Sequence, residues 1–261
     1  MLTNHSFMSS KIATSGLSKT NSNFSAMEWR LDEPPSTALT VDEIDHVNNP
    51  HPRCPVAVLL DTSGSMQGAP IVELQRGLLQ FMKELSADEL AALRIELALY
   101  TVGGTVGQPM SFGMPLDATE AQRLLLAAGG ETPLGVAVRR AVEDVRQRQK
   151  IYRQSAISAF RPWVVMMSDG EPNDAGWESA AAELRALATN QKWNVFCVAI
   201  GDHANVSKLQ QFSPSAVQRL AGLKFADLFR WLCDSLKTVS RSSTSDKTQA
   251  LPSTRDWSFT P

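Results

Sequence analysis

This chain of 261 residues has no excess of charge of one sign, no cluster of cysteines and no long apolar run. Its 25 Lys and Arg residues nearly balance 27 Asp and Glu residues, so no electrostatic attraction to nucleic acid or to an anionic membrane is expected. No stretch approaches the roughly 18 consecutive apolar residues that a membrane span needs. Residues 1–16 have no continuous apolar core, so a secretory signal is not predicted either.

The three cysteines, Cys54, Cys197 and Cys233, are far apart in the sequence. Their spacing fits neither a disulfide framework nor a metal-binding cysteine pair. A reducing environment is the default for such a chain, and we predict that the protein is cytoplasmic.

The composition is that of a globular protein, with 43% apolar and 20% charged residues, enough for one domain of about 200 residues. Residues 1–53 are mainly polar and are predicted to form a flexible N-terminal extension. The domain itself is predicted at 54–240, and 241–261 is predicted to be a polar C-terminal tail. The hydroxyl-rich segment 240–248 is an accessible phosphoacceptor if a kinase partner exists.

Between the two ends, apolar strand-like runs alternate with amphipathic helical runs. The predicted strands are 55–61, 93–102, 109–114, 162–168, 194–201 and 216–220. The predicted helices are 70–86, 117–128, 132–152, 176–189, 205–211 and 225–240. This alternation predicts an α/β fold, doubly wound, with a mainly parallel sheet and helices on both faces. Ligands of such sheets bind at the carboxyl ends of the strands.

Two of the predicted strands end in an aspartate next to serine and glycine. In "LLDTSGSM", Asp61, Ser63 and Ser65 alternate along an extended strand end, and Gly64 lets the backbone bend so that all three can line one loop. Asp169 ends the strand in "VVMMSD", and Thr132 precedes a predicted helix in "GGETPLG". Each piece by itself also fits an ordinary turn or, for Thr132, a helix N-cap.

Together, these three loops bring two carboxylates and three hydroxyls to one edge of the sheet. A donor set made only of oxygen suits a hard cation, Mg²⁺ or Mn²⁺, better than zinc. Because neutral hydroxyls leave much of the ionic charge uncompensated, a further anionic oxygen is expected, most simply the carboxylate of a partner protein. The sequence therefore predicts a metal site formed by Asp61, Ser63, Ser65, Thr132 and Asp169.

These five residues resemble the metal-ion-dependent adhesion site of von Willebrand factor A domains, whose pattern is Asp-x-Ser-x-Ser, a threonine and an aspartate. The resemblance covers roughly residues 54–240. It implies that Ser63, Ser65 and Thr132 ligate the ion directly. It also implies that Asp61 and Asp169 hold the ion through water or by direct contact.

A narrower resemblance is to bacterial TerY-type A domains linked to tellurium resistance. It rests on "LLDTSGSMQGAPI", "GGETPLGVAV", "MSDGEPND", "CVAIGDHAN" and "FADLFRWLCDSL". It implies a cytoplasmic protein that acts with a protein kinase or a metal-dependent protein phosphatase in stress, tellurium resistance or phage defence. This chain departs from that family by about fifty residues before the first strand. Their acidic residues, Asp32, Glu33, Asp42, Glu43 and Asp45, are candidates to occupy the metal site from within the chain.

Catalysis is not expected, because the chain lacks the glycine-rich motifs that hold phosphates. Ser63 also stands where a haloacid-dehalogenase-type phosphatase needs its second aspartate. The remaining enzymatic hypothesis is a metal-assisted hydrolase with Asp169 or Glu171 as the base.

A third hypothesis is a metal-independent scaffold that binds partners through its tails and through an exposed aromatic edge of the helix 225–240. Core packing is the ordinary alternative for that helix. The candidate partner-contacting residues are Glu171, Asp174, His203, Phe229 and Trp231.

Overall fold

The computed structural model describes residues 49–169, 171–242 and 250–259, and within them a seven-stranded sheet forms the centre of the fold. The strand order is β3-β2-β1-β4-β5-β6-β7. The strands are β1 (Cys54–Asp61), β2 (Ile95–Gly103), β3 (Thr105–Gly113), β4 (Trp163–Ser168), β5 (Asn194–Ala199), β6 (Gln218–Leu220) and β7 (Ser258–Phe259). Strands β3 and β7 are antiparallel to their neighbours at the two ends of the sheet, and the five strands between them are parallel.

The helices cover both faces of this sheet. They are α1 (Ala69–Ser86), α2 (Glu89–Arg94), α3 (Ala118–Ala121), α4 (Leu134–Gln154), α5 (Trp177–Asn190), α6 (Val206–Leu209) and α7 (Phe225–Ser240). Helices α1 and α7 pack against each other in one core, while α4 and α5 contribute to the other. The predicted doubly wound α/β fold with a mainly parallel sheet is therefore confirmed.

The central strand β1 shows why a continuous apolar run in the sequence predicts a strand of this sheet. All eight of its residues are buried. Val56 and Val58 belong to one core, whereas Ala57 and Leu59 belong to the other. A strand that is buried on both faces has no solvent-facing positions, so it appears in the sequence as a continuous apolar run. Asp61 is its last residue, at the carboxyl edge of the sheet.

The prediction of a helix over 117–128 is wrong. Only Ala118–Ala121 is helical, and Asp117 and Glu120 form a capping box at its start. The following residues form a loop that is held against α1 by Gln75, whose side-chain amide donates to the carbonyl of Leu124 (2.7 Å) and accepts from the backbone N–H of Leu126 (2.8 Å). Tertiary hydrogen bonds here override the helix-forming tendency of a Leu- and Ala-rich segment.

The beginning of predicted strand 93–102 also differs, because α2 continues to Arg94 before β2 starts. The short strand predicted at 109–114 is the second half of the nine-residue β3. Both differences lie at element ends, where sequence patterns are least informative.

The ends of the chain differ from the prediction as well. Asn49 and Arg53 are buried, so the domain includes residues assigned to the N-terminal extension. Residues 250–259 pack on the domain, because Trp257 is 1% exposed and β7 pairs with β6. Residues 1–48, with the five acidic candidates for occupation of the metal site, lie outside the described residues, as does most of the hydroxyl-rich segment 240–248.

None of the described helices combines the length and the hydropathy that crossing a membrane requires.

Candidate metal centre

The carboxylate of Asp61 is fixed in place at the end of β1, where the residue is 1% exposed. Its Oδ1 accepts a hydrogen bond from the backbone N–H of Ser63 (2.9 Å), and its Oδ2 accepts one from the hydroxyl of Ser168 (2.6 Å). Burial raises the pKa of this carboxyl, the nearby charge of Asp169 adds to the rise, and the bonds from Ser168 and Ser63 oppose it. A carboxylate in this position orients the loop that follows it.

The two serines of this loop connect it to the aspartate after β4. Ser65 donates its hydroxyl proton to Oδ2 of Asp169 at 2.6 Å. The hydroxyl oxygens of Ser63 and Ser65 are 2.9 Å apart. Because a hydroxyl has one proton and Ser65 gives its proton to Asp169, Ser63 is the donor of the second bond. The result is a continuous series of oxygen atoms that runs from one strand end to another.

Thr132 lies on the third loop, which is tied to both of the others through the backbone. The N–H of Gly64 donates to the carbonyl of Gly130 (2.9 Å), and the N–H of Asn173 donates to the carbonyl of Thr132 (3.3 Å). Gly130 has a φ of +74°, and a Cβ atom there would lie 2.4 Å from the Cα atom of Gly104, so only glycine fits. The three loops that the sequence singled out thus meet at one edge.

Asp174, rather than Thr132, caps helix α4. The two oxygens of Asp174 accept from the backbone N–H groups of Gly135 (3.0 Å) and Val136 (2.9 Å). Arg139 lies 3.6 Å from the same carboxylate. Asp174 therefore has a structural role as the cap of α4, and its contact with a partner stays a prediction. The hydroxyl of Thr132 takes no part in this cap, which leaves it available as a ligand.

Glu171 connects the loop of Asp169 to helix α6. Its carboxylate accepts from Nδ2 of Asn205 (3.0 Å) and from Nζ of Lys208 (2.7 Å), and these two bonds hold its pKa below its usual value. The backbone N–H of Asn205 also donates to the carbonyl of Asp169 (2.7 Å). Glu171 lies at the predicted site but is already engaged within the chain. His203 is exposed in the loop after β5.

Phe229 and Trp231 do not form an exposed aromatic edge, and that expectation is wrong. Phe229 is 1% exposed and Trp231 is 6% exposed. Phe229 packs against α1 at Gly77, where a Cβ atom would lie 2.7 Å from the ring. The close approach of the two helices buries Phe229, while Trp231 is covered by Phe196 and Trp257, so the apolar stripe of α7 is core.

Two residues of the site were not identified from the sequence. Ser168 fixes Asp61, and Asn205 holds the backbone of Asp169. Ser168 directly precedes Asp169 at a strand end, which is a weak local signal. Asn205 has no such signal, because its role depends on the pairing of β4 with β5.

The side chains that meet here fit a divalent cation. Every side-chain donor in the set is an oxygen, and within the described ranges no group of three or more His, Cys, Asp and Glu residues could hold a metal ion, so a site here depends on hydroxyl groups as well as on carboxylates. Among the same residues, neither Asp61 nor Asp169 forms an ion pair with Lys or Arg. Two carboxylates and three hydroxyls without a cation of the protein are the donor chemistry that Mg²⁺ and Mn²⁺ prefer.

Several solved structures share the fold of this chain. Manganese-loaded TRAP protein of Plasmodium vivax is 18% identical, with a TM-score of 0.50 over 69% of this chain and 73% of that one. Proximal thread matrix protein 1 from the mussel byssus, solved with a zinc-occupied MIDAS motif, is 17% identical, with a TM-score of 0.51 over 72% of this chain and 49% of that one. A von Willebrand factor type A protein from Catenulispora acidiphila is 16% identical, with a TM-score of 0.50 over 72% of this chain and 43% of that one.

These similarities show a shared fold, and this chain spans about half the length of the mussel protein. The family model of the von Willebrand factor type A domain matches residues 56–227, more than half of the chain. The chain therefore belongs to the von Willebrand factor type A domain family, and the resemblance to A domains is confirmed. All five candidate metal ligands lie within the matched region. No curated protein matches the chain by sequence.

Proposed function

We propose that this protein is a metal-dependent protein-binding module and not an enzyme. The observation that carries the proposal is the hydrogen-bonded series from Asp61 through Ser63 and Ser65 to Asp169, in which neither carboxylate forms an ion pair with a Lys or Arg of the described part of the chain. A divalent cation held there supplies an uncompensated positive charge that favours the carboxylate of a partner protein. The ligands in this proposal are Asp61, Ser63, Ser65, Thr132 and Asp169.

The chain's own residues have distinct tasks in this mechanism. Asp61 orients the loop through the N–H of Ser63 and is itself held by Ser168. Ser63 and Ser65 present hydroxyl oxygens that are neutral and therefore do not cancel the charge of a cation. Asp169 is held on the far side by the backbone of Asn205. Such outer contacts fix ligand geometry and strengthen metal affinity.

The choice of Mg²⁺ or Mn²⁺ is supported by donor chemistry. Manganese occupies the Plasmodium vivax TRAP protein and zinc occupies the MIDAS motif of the mussel protein, so relatives of this fold hold divalent ions. Oxygen-only donors with two carboxylates favour the harder ions over zinc.

The partner in this proposal is a protein that presents an acidic residue, in particular a Ser/Thr kinase or a metal-dependent protein phosphatase. The resemblance of five sequence segments to TerY-type A domains supports this choice, together with a role in bacterial stress, tellurium resistance or phage defence. A cytoplasmic location is supported by the three cysteines, which are free and buried.

The alternative of a metal-assisted hydrolase has less support. Glu171, one of its two candidate bases, is engaged by Lys208 and Asn205, which lower its pKa and make it a weaker base. Burial raises the pKa of the Cys197 thiol to about 12, so that thiol is not a nucleophile at neutral pH.

A pull-down from native lysate tests the proposal. Wild type in Mg²⁺, wild type in EDTA and Asp61→Ala in Mg²⁺ are compared, and Asp202→Ala, which removes an exposed carboxylate from the loop after β5, is the matched control. The expected result is one partner that is recovered by wild type and Asp202→Ala in Mg²⁺ only. Equal recovery of that partner by Asp61→Ala, or in EDTA, would contradict the proposal.

A further inference from the structure

The sheet opens between β5 and β6. Strand β5 has six residues, but β6 pairs only with its last two, Val198 and Ala199. A pocket of about 160 Å³ lies at the edge of β5 that faces β6, next to the residues of β5 that do not pair with β6. Its walls include Phe196 and Val198 of β5, Ala216 before β6, Trp231 of α7, and Trp257 and Thr254 of the C-terminal segment.

Three of the residues that line the pocket are aromatic. The ring centroids of Phe196 and Trp231 are 5.4 Å apart and meet edge to face at 73°. Those of Trp231 and Trp257 are 5.3 Å apart at 55°. Trp163 stacks behind Phe196 at 4.9 Å. The pocket therefore lies against a row of rings formed by Phe196, Trp231 and Trp257.

Hydrogen bonds hold the walls apart. Nε1 of Trp231 donates to the carbonyl of Pro252 (2.9 Å), which fixes that indole against the C-terminal segment. The backbone carbonyl of Trp257 accepts from the N–H of Ala221 (2.9 Å), and β7 pairs with β6 next to it. Because both tryptophans are held in this way, the walls are not free to collapse and fill the space.

Two costly features coincide at this point. The pocket is partly open, and apolar ring surface that stays in contact with water there is unfavourable. Nε1 of Trp257 is buried without a hydrogen-bond partner among the described residues. An apolar molecule bound against these rings would displace that water and so remove the first of the two costs.

We propose that this pocket is a binding site for a small aromatic molecule of about one ring. An engineered cavity of about 150 Å³ in another protein takes up benzene, so the volume suits a single ring. Rings prefer edge-to-face and offset contacts with other rings, and three walls of this pocket offer them. Trp231, Thr254 and Trp257 lie beyond the region matched by the family model, so the site is a feature of this chain's own C-terminal segment.

Benzyl alcohol is a suitable probe, and the indole N–H signals of the six tryptophans in ¹⁵N-labelled full-length protein are the readout. We expect saturable shifts of the Trp231 and Trp257 signals, with a dissociation constant on the order of 1 mM. Ala216→Phe places a ring at the pocket wall and is expected to weaken binding at least tenfold. Ala216 is exposed, so this variant is expected to fold.

Ala186→Phe, on the exposed side of α5, is the matched control and is expected to bind as wild type does. Shifts that grow linearly without saturation would overturn the proposal. Saturable shifts that survive in Ala216→Phe, or that spread equally over all six tryptophans, would overturn it as well. None of these outcomes depends on metal binding.

Discussion

At the amino edge of the sheet Glu96 is 2% exposed, and at the carboxyl edge Asp61 is 1% exposed. Glu96 is bonded to Nε of Arg53 (3.0 Å), to Nε of Arg148 and to the hydroxyl of Tyr152 (2.6 Å). Asp61 receives neutral donors from the described residues, among them the backbone N–H of Ser63 and the hydroxyl of Ser168. Both carboxylates accept hydrogen bonds, but among the described residues only Glu96 forms ion pairs with cationic side chains.

The two carboxylates therefore differ in role: Glu96 stabilises the fold, and Asp61 belongs to the proposed metal site. A buried carboxylate that is paired with guanidinium groups has its charge balanced within the protein, and it links the elements that carry those groups. Asp61, with Asp169 nearby and no Lys or Arg paired to either among the described residues, leaves negative charge for a cation from solution. The four predictions below test this contrast, beginning with the largest expected effect.

Glu96→Ala is expected to lower the free energy of unfolding by about 3–5 kcal/mol, because it leaves the buried guanidinium group of Arg53 without its counter-charge. Urea denaturation measures the loss. Glu143→Ala removes an exposed carboxylate of α4 and is expected to change stability by no more than about 0.5 kcal/mol. Similar values for the two variants would remove the contrast on which the structural role of Glu96 rests.

The sequence was sufficient wherever one local pattern determined the structure. The continuous apolar run of β1 and the oxygen-bearing residues directly after two strands were visible, because strand ends of a parallel sheet share an edge. The network of Glu96 was not visible, since it joins residues 43 and 52 positions apart with no local pattern. The burial of Trp257 depends on contacts with α7, so a polar stretch of sequence was mistaken for a tail.

Asp61→Asn is expected to weaken Mn²⁺ binding about 10- to 100-fold, which is the usual effect of losing a residue that orients or holds a metal. The melting temperature of wild type is expected to rise with added Mn²⁺ and to fall back with EDTA, because an ion that binds the folded state stabilises it. Calorimetric titration measures the affinity directly. If Asp61→Asn retains wild-type affinity, the carboxyl edge is not a metal centre, whatever the effect on stability.

Asp174→Ala and Thr132→Val separate a helix cap from a metal ligand on the same side of the sheet. Asp174→Ala is expected to cost about 1 kcal/mol in unfolding, because the N–H groups of Gly135 and Val136 lose their acceptor. Thr132→Val keeps the side-chain shape and is expected to cost less stability but more Mn²⁺ affinity. Were the costs in stability reversed, Thr132 would be the cap and its place among the ligands would be lost.

The smallest expected effect concerns Glu171, whose contacts with Lys208 and Asn205 lie at the surface. Glu171→Gln is expected to change the free energy of unfolding by no more than about 0.5 kcal/mol, since exposed ion pairs contribute little. It is expected to weaken Mn²⁺ binding a few-fold, because the loop of Asp169 loses one of its ties to α6. Lys208→Met removes the other partner of the same pair, so the double variant should be no worse than either single one. Additive losses of affinity would instead mean that the charge of Glu171 acts on the metal site independently of its contact with Lys208. The negative charge at the carboxyl edge would then include a residue that is not itself a metal ligand.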